Sequence, residues 1–381
     1  MKKDQQHTNV PHLRFPEFSG EWKEEQLESI AILSKGIGIS KEQLSENGEQ
    51  CILYGELYTK YKSEIIKQVE SKTDIDSSKL KRSKANDVII PCSGETAVDI
   101  ATARCVPFDN ILLGGDLNII SLHKYDGAFM SYQLNGKRKC DIAKVAQGVS
   151  VVHLYGEHLK TIKTYNPTLP EQQKIAKLLS LIDERIATQN KIIEKLESLI
   201  RGIYKTLLGE SEQYRYLDEL CEIRKGVQVN KEELSEKGIY YVMNGGITPS
   251  GYYDLYNTEA NTISISEGGN SCGYVQYNYT PFWSGGHCYT LENISDAVDN
   301  RYLFHYLKAN ELQIMSLRIG SGLPNIQKKD LSAFRIPLPA LDKQINIAKA
   351  LDALLYKITV DKNIYSTYKQ QKEYLLQQMF I

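Results

Sequence analysis

From Leu27 to Gly48 the chain reads LESIAILSKGIGISKEQLSENG, and from Leu217 to Gly238 it reads LDELCEIRKGVQVNKEELSEKG. The offset is 190 residues with no gap, and nine of the 22 positions are identical. They include Lys35/Lys225, Gly36/Gly226, Lys41/Lys231, Leu44/Leu234 and Gly48/Gly238. A second match, at an offset of 172, sets NPTLPEQQKIAKLL from Asn166 against LPALDKQINIAKAL from Leu338. It aligns Pro167/Pro339, Leu169/Leu341, Gln172/Gln344 and the Ile-Ala-Lys triplets 175–177 and 347–349, and its register reaches back to Gly148/Gly320 and Leu154/Ile326. Two collinear blocks in the same order make the chain a duplication. Each copy has a shared opening, a divergent middle and a shared helical close. Such a chain builds two similar units, and an approximate two-fold suits a partner that is itself two-fold repetitive.

The shared close is helical by every local sign. EQQKIAKLLSLIDERIATQNKIIEKLESLIRGIYKTLL, from Glu171, contains no proline, follows Pro170 and ends before Gly209. Ile175, Leu178, Ile182, Gln189, Ile192, Leu196, Leu199 and Ile203 fall on a 3–4 spacing. At 1.5 Å per residue this helix is roughly 57 Å long, more than one compact domain holds. The second copy repeats the design from Leu341 to Ile381 with Ile347, Leu351, Leu354, Ile358, Ile364, Tyr368 and Leu375. The two stripes most simply pack on each other as a coiled coil; two helices docked separately on globular cores is the alternative. In the middles, Asp87-Val-Ile-Ile-Pro and Asn261-Thr-Ile-Ser-Ile-Ser read as strands, as do Asn118-Ile-Ile-Ser-Leu and Cys288-Tyr-Thr-Leu. Helices are expected at 127–135 and 301–315. The fold class is therefore α+β, with a small twisted sheet in each unit.

The 381 residues carry a net charge of −1, so bulk charge lends no support to nucleic-acid binding. No apolar run approaches ~18 residues, and the N-terminus lacks the apolar core of a secretory signal, so no membrane partner is expected. Seven cysteines form no C-x-x-C pair, which fits reduced thiols in the cytoplasm. Catalytic signatures are missing. Gly136-Lys137 is followed by Arg138 and makes no phosphate loop, the seven histidines show no metal-binding spacing, and Asn166-Pro167-Thr168-Leu169 fails the Pro-Pro-aromatic pattern that adenine methylation needs. The chain reads as a non-enzyme with no metal site.

Nine of the 25 tyrosines lie between Tyr240 and Tyr289, among Asn, Gln, Ser and Gly. Such side chains hydrogen-bond base edges or phosphates, but this stretch has no Lys or Arg to neutralise a phosphate backbone. Cations must come from Lys225, Lys231 and Lys328 nearby. The first copy offers Lys35, Lys41, Lys81, Arg82, Lys84, Arg104, Lys137 and Arg138. Candidates for base edges are Ser93, Thr96, Arg104, Lys137 and Arg138 in the first middle, and Asn244, Tyr252, Tyr253, Asn270, Tyr274 and His287 in the second. By composition alone, a non-enzymatic scaffold or adhesion module binding protein or glycan through its Tyr-rich domains is an equal alternative.

As a whole the pattern resembles the specificity subunit of type I restriction–modification systems. The resemblance runs from Pro11-His-Leu-Arg-Phe-Pro-Glu-Phe-Ser-Gly-Glu-Trp22 through both repeats to Gly320-Ser-Gly-Leu-Pro-Asn-Ile-Gln-Lys-Lys-Asp-Leu and Ile336-Pro-Leu-Pro339. It implies two target-recognition domains, residues 1–165 and 211–338, each followed by a spacer helix, 166–210 and 339–381, with the helices antiparallel. Each domain would read one half of a bipartite site in double-stranded DNA, and a stiff helix pair would act as a ruler, since DNA turns the same face about every 34 Å. The resemblance also implies two methyltransferase subunits that carry S-adenosylmethionine, and motor–nuclease subunits that use ATP and Mg. No cofactor is expected on this chain. Leu179, Ile186 and Ile193, left over from the helix stripe, are candidates for the partner contacts; the equal alternative is that they widen the core stripe.

Overall fold

The computed structural model describes residues 9–148, 151–207, 211, 213–320 and 322–381, which leaves the expected helix stop at Gly209 outside the described residues. The chain divides into two compact units. One holds residues 1–190 and 363–381, the other 191–362.

In the first unit the main sheet is built from β1 (Ala31–Lys35), β2 (Asp87–Pro91), β3 (Arg104–Val106) and β4 (Leu117–Leu122), in the order β1-β4-β2-β3. In the second it is built from β5 (Glu222–Lys225), β6 (Thr262–Ser266), β7 (Val275–Asn278) and β8 (Cys288–Glu292), in the order β5-β8-β6-β7. The two orders are the same, and all neighbours are antiparallel. The central strands are covered on both faces, which is why Val88-Ile89-Ile90 forms an unbroken apolar run with no exposed member. A helix then crosses each sheet: α1 (Gly127–Asn135), capped by Asp126 accepting from Phe129 N at 2.7 Å, and α3 (Asn300–Ala309), capped by Asp299 accepting from Tyr302 N at 2.8 Å. The expected helix 301–315 is two helices, because Asn310 leaves helical geometry (ψ 18°) and Glu311–Ser316 starts afresh.

A short antiparallel ladder closes each unit. Lys23–Gln26 pairs with Lys163–Asn166, and Tyr214–Tyr216 pairs with Arg335–Pro337. The divergent middles form the second sheets, five-stranded in the first unit and three-stranded in the second.

Two long helices follow, α2 (Leu169–Leu207) and α4 (Leu341–Gln378). Within the first unit the opening turns of α2 (Ile175, Leu179, Ile182) share a core with the last turns of α4 (Leu375, Met379, Phe380) and with Trp22 and Phe129. Within the second, Ile200 near the end of α2 shares a core with Ile347, Leu351 and Ile358 near the start of α4. The helices therefore run antiparallel. The protected positions of α2 include the series 175, 179, 182, 186, 189, 193, 196, 200 and 203, an alternation of fours and threes, which is a heptad seam. This corrects the sequence reading in two ways. Ile192 and Leu199, expected in the stripe, are exposed, whereas Leu179, Ile186 and Ile193, candidates for the partner contacts, lie in or against the core. On α4, Ile364 is likewise exposed.

The seam of α4 turns polar after Ile358: Asp361, Tyr365, Tyr368 and Lys372 take heptad positions. Lys372 Nζ reaches Asp183 on α2 at 2.7 Å and also Glu64, and Tyr132 on α1 donates to Asp183 at 2.7 Å. Burial and the Glu64 charge push the Asp183 carboxyl up, whereas Lys372 outweighs burial at Glu64 and holds it down. In the second unit Asp352 of α4 accepts from Arg301 and from His305 Nε2 (2.8 Å), both on α3. No described helix is long and apolar enough to cross a membrane.

Candidate nucleic-acid interface

In both units the same three segments meet where the central strand ends. In the first, Cys92 N donates to Asp116 O (2.7 Å) and Cys92 O accepts from Leu154 N (2.9 Å). In the second, Glu267 N donates to His287 O (2.9 Å) and Glu267 O accepts from Ile326 N (2.8 Å). Just before Leu154 and Ile326, reciprocal backbone hydrogen bonds join Gln147 to His153 and Ile319 to Asn325. Cys92 and Glu267 are thus the same structural position with different chemistry. The repeated lysine stands beside it in each copy: Lys35 lies 3.6 Å from Asp116 Oδ1, and Lys225 lies 2.6 Å from Glu267 Oε1.

Around the first strand end lies a cleft of about 730 Å³, lined by Tyr54, Tyr58, Ser93, Glu95 and Asp99 among others. Tyr58 donates to Ser93 O at 3.0 Å, and burial pushes its hydroxyl pKa up. Ser93 Oγ lies 3.5 Å from His153 Nδ1. Thr96 is exposed but serves as a helix cap, accepting from Asp99 N at 3.0 Å.

The basic candidates separate into free and engaged groups. Lys41, Lys84, Lys231 and Lys328 are exposed, and Lys41 and Lys231 occupy the same 3₁₀ turn of the two copies. Lys81 and Lys137 are half-buried. Arg82 forms a two-pronged pair with Glu49 (2.7 and 3.0 Å), which holds that carboxyl down to about 2. Arg104 borders the cleft but is largely covered. It is 8% exposed, and its guanidinium donates to the carbonyls of Tyr61, Ala103 and Leu57, so it ties the 57–61 turn to its own strand. Arg138 donates to the main-chain oxygen of Ile381 (2.8 Å), pairs with Asp141 and lies over the Tyr165 ring, which makes it an anchor for the end of α4.

In the second unit Asn244 Oδ1 accepts from His287 N at 3.1 Å, which brings two candidates together beside Lys225. Tyr252 and Tyr253 pair with Tyr241 and Tyr240, and Tyr253 meets Trp283 edge-on at 5.0 Å. Asn270 is exposed on the turn after Glu267. The Tyr274 carbonyl accepts from Ser266 N at 2.9 Å, and its ring lies under Lys308 Nζ at 4.0 Å. Sequence reasoning missed Glu267. A lone acid after a strand carries no signal, but the diglycines that flank this point, 245–246, 268–269 and 285–286, were legible as a pattern. Among the described residues no group of three or more His, Cys, Asp or Glu could hold a metal ion.

Comparisons with known proteins agree with this architecture. The model of the family described as type I restriction modification DNA specificity domain matches twice, at residues 19–198 and 210–369. A Mycoplasma pneumoniae protein named as a type I specificity subunit is 38% identical over 144 residues, 37% of this chain and 38% of that protein. The MjaVIII specificity subunit of Methanocaldococcus jannaschii is 24% identical over 311 residues, 71% of this chain and 72% of that protein. Among solved structures, the crystal structure of a type I restriction–modification S subunit from M. genitalium superposes with a TM-score of 0.73 at 20% identity, covering 98% of this chain and 99% of that one. A chain from a structural study of complex assembly in a type I R-M system gives 0.54 at 16% identity, with 97% and 99% coverage. With both copies matched by the family, the chain belongs to the type I restriction–modification DNA specificity family.

Proposed function

We propose that this chain reads a bipartite target in double-stranded DNA, one half with residues 1–165 and the other with 211–338, while the helices 166–210 and 339–381 set the spacing. The observation that supports this most is the strand end: a common frame, with Lys35 or Lys225 beside it, holds a buried Cys92 in one copy and a buried Glu267 in the other. A shared frame suits the uniform phosphate backbone, and a divergent position suits two unlike sequences. Exposed candidates for backbone contact are Lys35, Lys41, Lys84, Lys225, Lys231 and Lys328. Those for base edges are Thr96, Asn270 and His287, which are exposed, and Ser93, Asn244, Tyr252 and Tyr253, which are half-buried.

The chain performs no chemistry itself in this account. It acts in the cytoplasm and docks two methyltransferase subunits that bring S-adenosylmethionine; motor–nuclease subunits bring ATP and Mg. With Leu179, Ile186 and Ile193 in the core, the docking faces are the exposed apolar side chains left on the helices, such as Leu181, Ile192 and Leu199. Co-expression with its methyltransferase tests this. The expected product is a complex with two methyltransferase chains per copy that methylates a bipartite motif. A chain that purifies alone, or binds protein or glycan and no DNA, contradicts it.

A further inference from the structure

Three diglycine turns meet in the second unit: Asn244-Gly245-Gly246, Glu267-Gly268-Gly269 and Ser284-Gly285-Gly286. Gly245 has φ +81°, and a Cβ there would stand 3.1 Å from His287 Cβ and 3.3 Å from the Gly268 carbonyl oxygen. A Cβ on Gly285 would stand 2.7 Å from Asn244 Oδ1. The turns therefore pack backbone on backbone, which glycine alone permits. Asn244 holds the His287 amide, and Ser266 Oγ donates to Gly245 O at 2.7 Å.

Glu267 lies beneath this junction and is 7% exposed. Its Oε1 accepts from Lys225 Nζ (2.6 Å) and from the Tyr289 hydroxyl (3.2 Å). Its Oε2 is buried and accepts no hydrogen bond among the described residues. A carboxylate oxygen buried without a donor is costly, so a donor that can reach it is held there. His287 Nδ1 stands 3.7 Å away, just outside hydrogen-bond reach, on a side chain that is 62% exposed and can turn to close the gap. With Nδ1 turned inward, Nε2 faces outward.

Building on the DNA-reading function above, we propose that Glu267 is a positioning residue that takes the Nδ1–H of His287, leaving Nε2 as an acceptor that reads the exocyclic amine of an adenine or cytosine in the second half-site. A proton fixed on one ring nitrogen leaves the lone pair on the other. In the major groove the amines of adenine N6 and cytosine N4 are the donors such a lone pair meets. Cys92 occupies the equivalent place in the first unit, so the first half-site is read by other means.

The test is selection of targets from randomised DNA by the complex of the full chain with its partner subunits. We expect one position of the second half at which adenine or cytosine is preferred about tenfold. His287→Ala and Glu267→Leu flatten that position alone, whereas Glu267→Gln, whose single oxygen stays with Lys225 and Tyr289 so that its NH2 faces Nδ1, puts the ring proton on Nε2 and moves the preference to a base that offers an acceptor, guanine or thymine. His287 is exposed, so His287→Ala with Glu267→Gln decides the matter even if Glu267→Leu fails to fold. Unchanged selection by His287→Ala, or uniform weakening on all sequences, overturns the inference while a bipartite target from the unaltered chain leaves the DNA-reading function standing. An unaltered chain that selects no bipartite target overturns both.

Discussion

Gln172 and Gln344 make the same hydrogen bonds in the two halves of the chain. Gln172 accepts from Asp126 N at 2.9 Å and donates to Pro167 O at 2.8 Å; Gln344 accepts from Asp299 N at 2.9 Å and donates to Pro339 O at 2.8 Å. Each is 1% exposed and fastens the first turn of a long helix to the cap of the helix that crosses its sheet. Replacing either by alanine strands a buried amide and a buried carbonyl, and is expected to cost about 1–3 kcal/mol. The clamps share no partner, so the double variant should be additive within about 0.5 kcal/mol in urea unfolding. Strong non-additivity would show that the clamps are coupled.

The helix register makes a second prediction. Ile193→Asp places a charge in the seam and is expected to lower stability by several kcal/mol, whereas Ile192→Asp, one residue away and exposed, should stay within about 0.5 kcal/mol. Thermal unfolding of the two variants compares them directly. On the proposed docking face, Ile192→Asp should also weaken retention of the methyltransferase subunits in size-exclusion chromatography.

Lys372 sits between two carboxylates in the first unit. Burial opposes its charge, but Glu64 and Asp183 win and raise its pKa. That stabilisation is fully present below the unfolded lysine value of about 10.4 and is lost as pH rises through the folded value. Lys372→Met leaves both acids unpaired and is expected to cost about 3–5 kcal/mol at pH 7. The deficit should shrink at pH 5, because Asp183, already pushed up, takes a proton more readily. Urea midpoints at the two pH values measure this, and an equal deficit at both would contradict it.

His305 carries the opposite sign. Burial lowers its pKa despite the Asp352 contact, so the folded chain binds that proton less tightly than the unfolded one. Its contribution is present above the unfolded value of about 6.5 and is lost as pH falls below it. His305→Gln should flatten the fall in unfolding midpoint between pH 7 and pH 5. A fall of the same slope in the variant would assign it elsewhere.

Lys41 and Lys231 are exposed in the same turn of both copies. As phosphate contacts, each replaced by alanine should weaken binding alike on all sequences and reduce the slope of log K against log salt by about 1. A change in base preference at either lysine would assign it to readout instead.

Much of this was legible in the sequence because a duplication states its own boundaries. Asp87–Pro91 and Thr262–Ser266 are strands, and the long helices start within two residues of their expected positions. The seam was misplaced for a local reason. Ile192-Ile193 and Leu199-Ile200 are adjacent apolar pairs, and only the facing helix decides which member turns inward. The burial of Arg104 was not legible because it depends on carbonyls at Leu57 and Tyr61, far from it in sequence. The Lys372 cluster joins residues 64, 183 and 372, which no periodicity connects.

The central claim is that two separate readers share one chain. Its most direct test maps methylated adenines in DNA from cells carrying the full chain with its methyltransferase, before and after residues 60–145 are exchanged for those of another family member. The account predicts that one half of the motif changes while the other half and the spacing stay fixed. A motif whose two halves change together would contradict it.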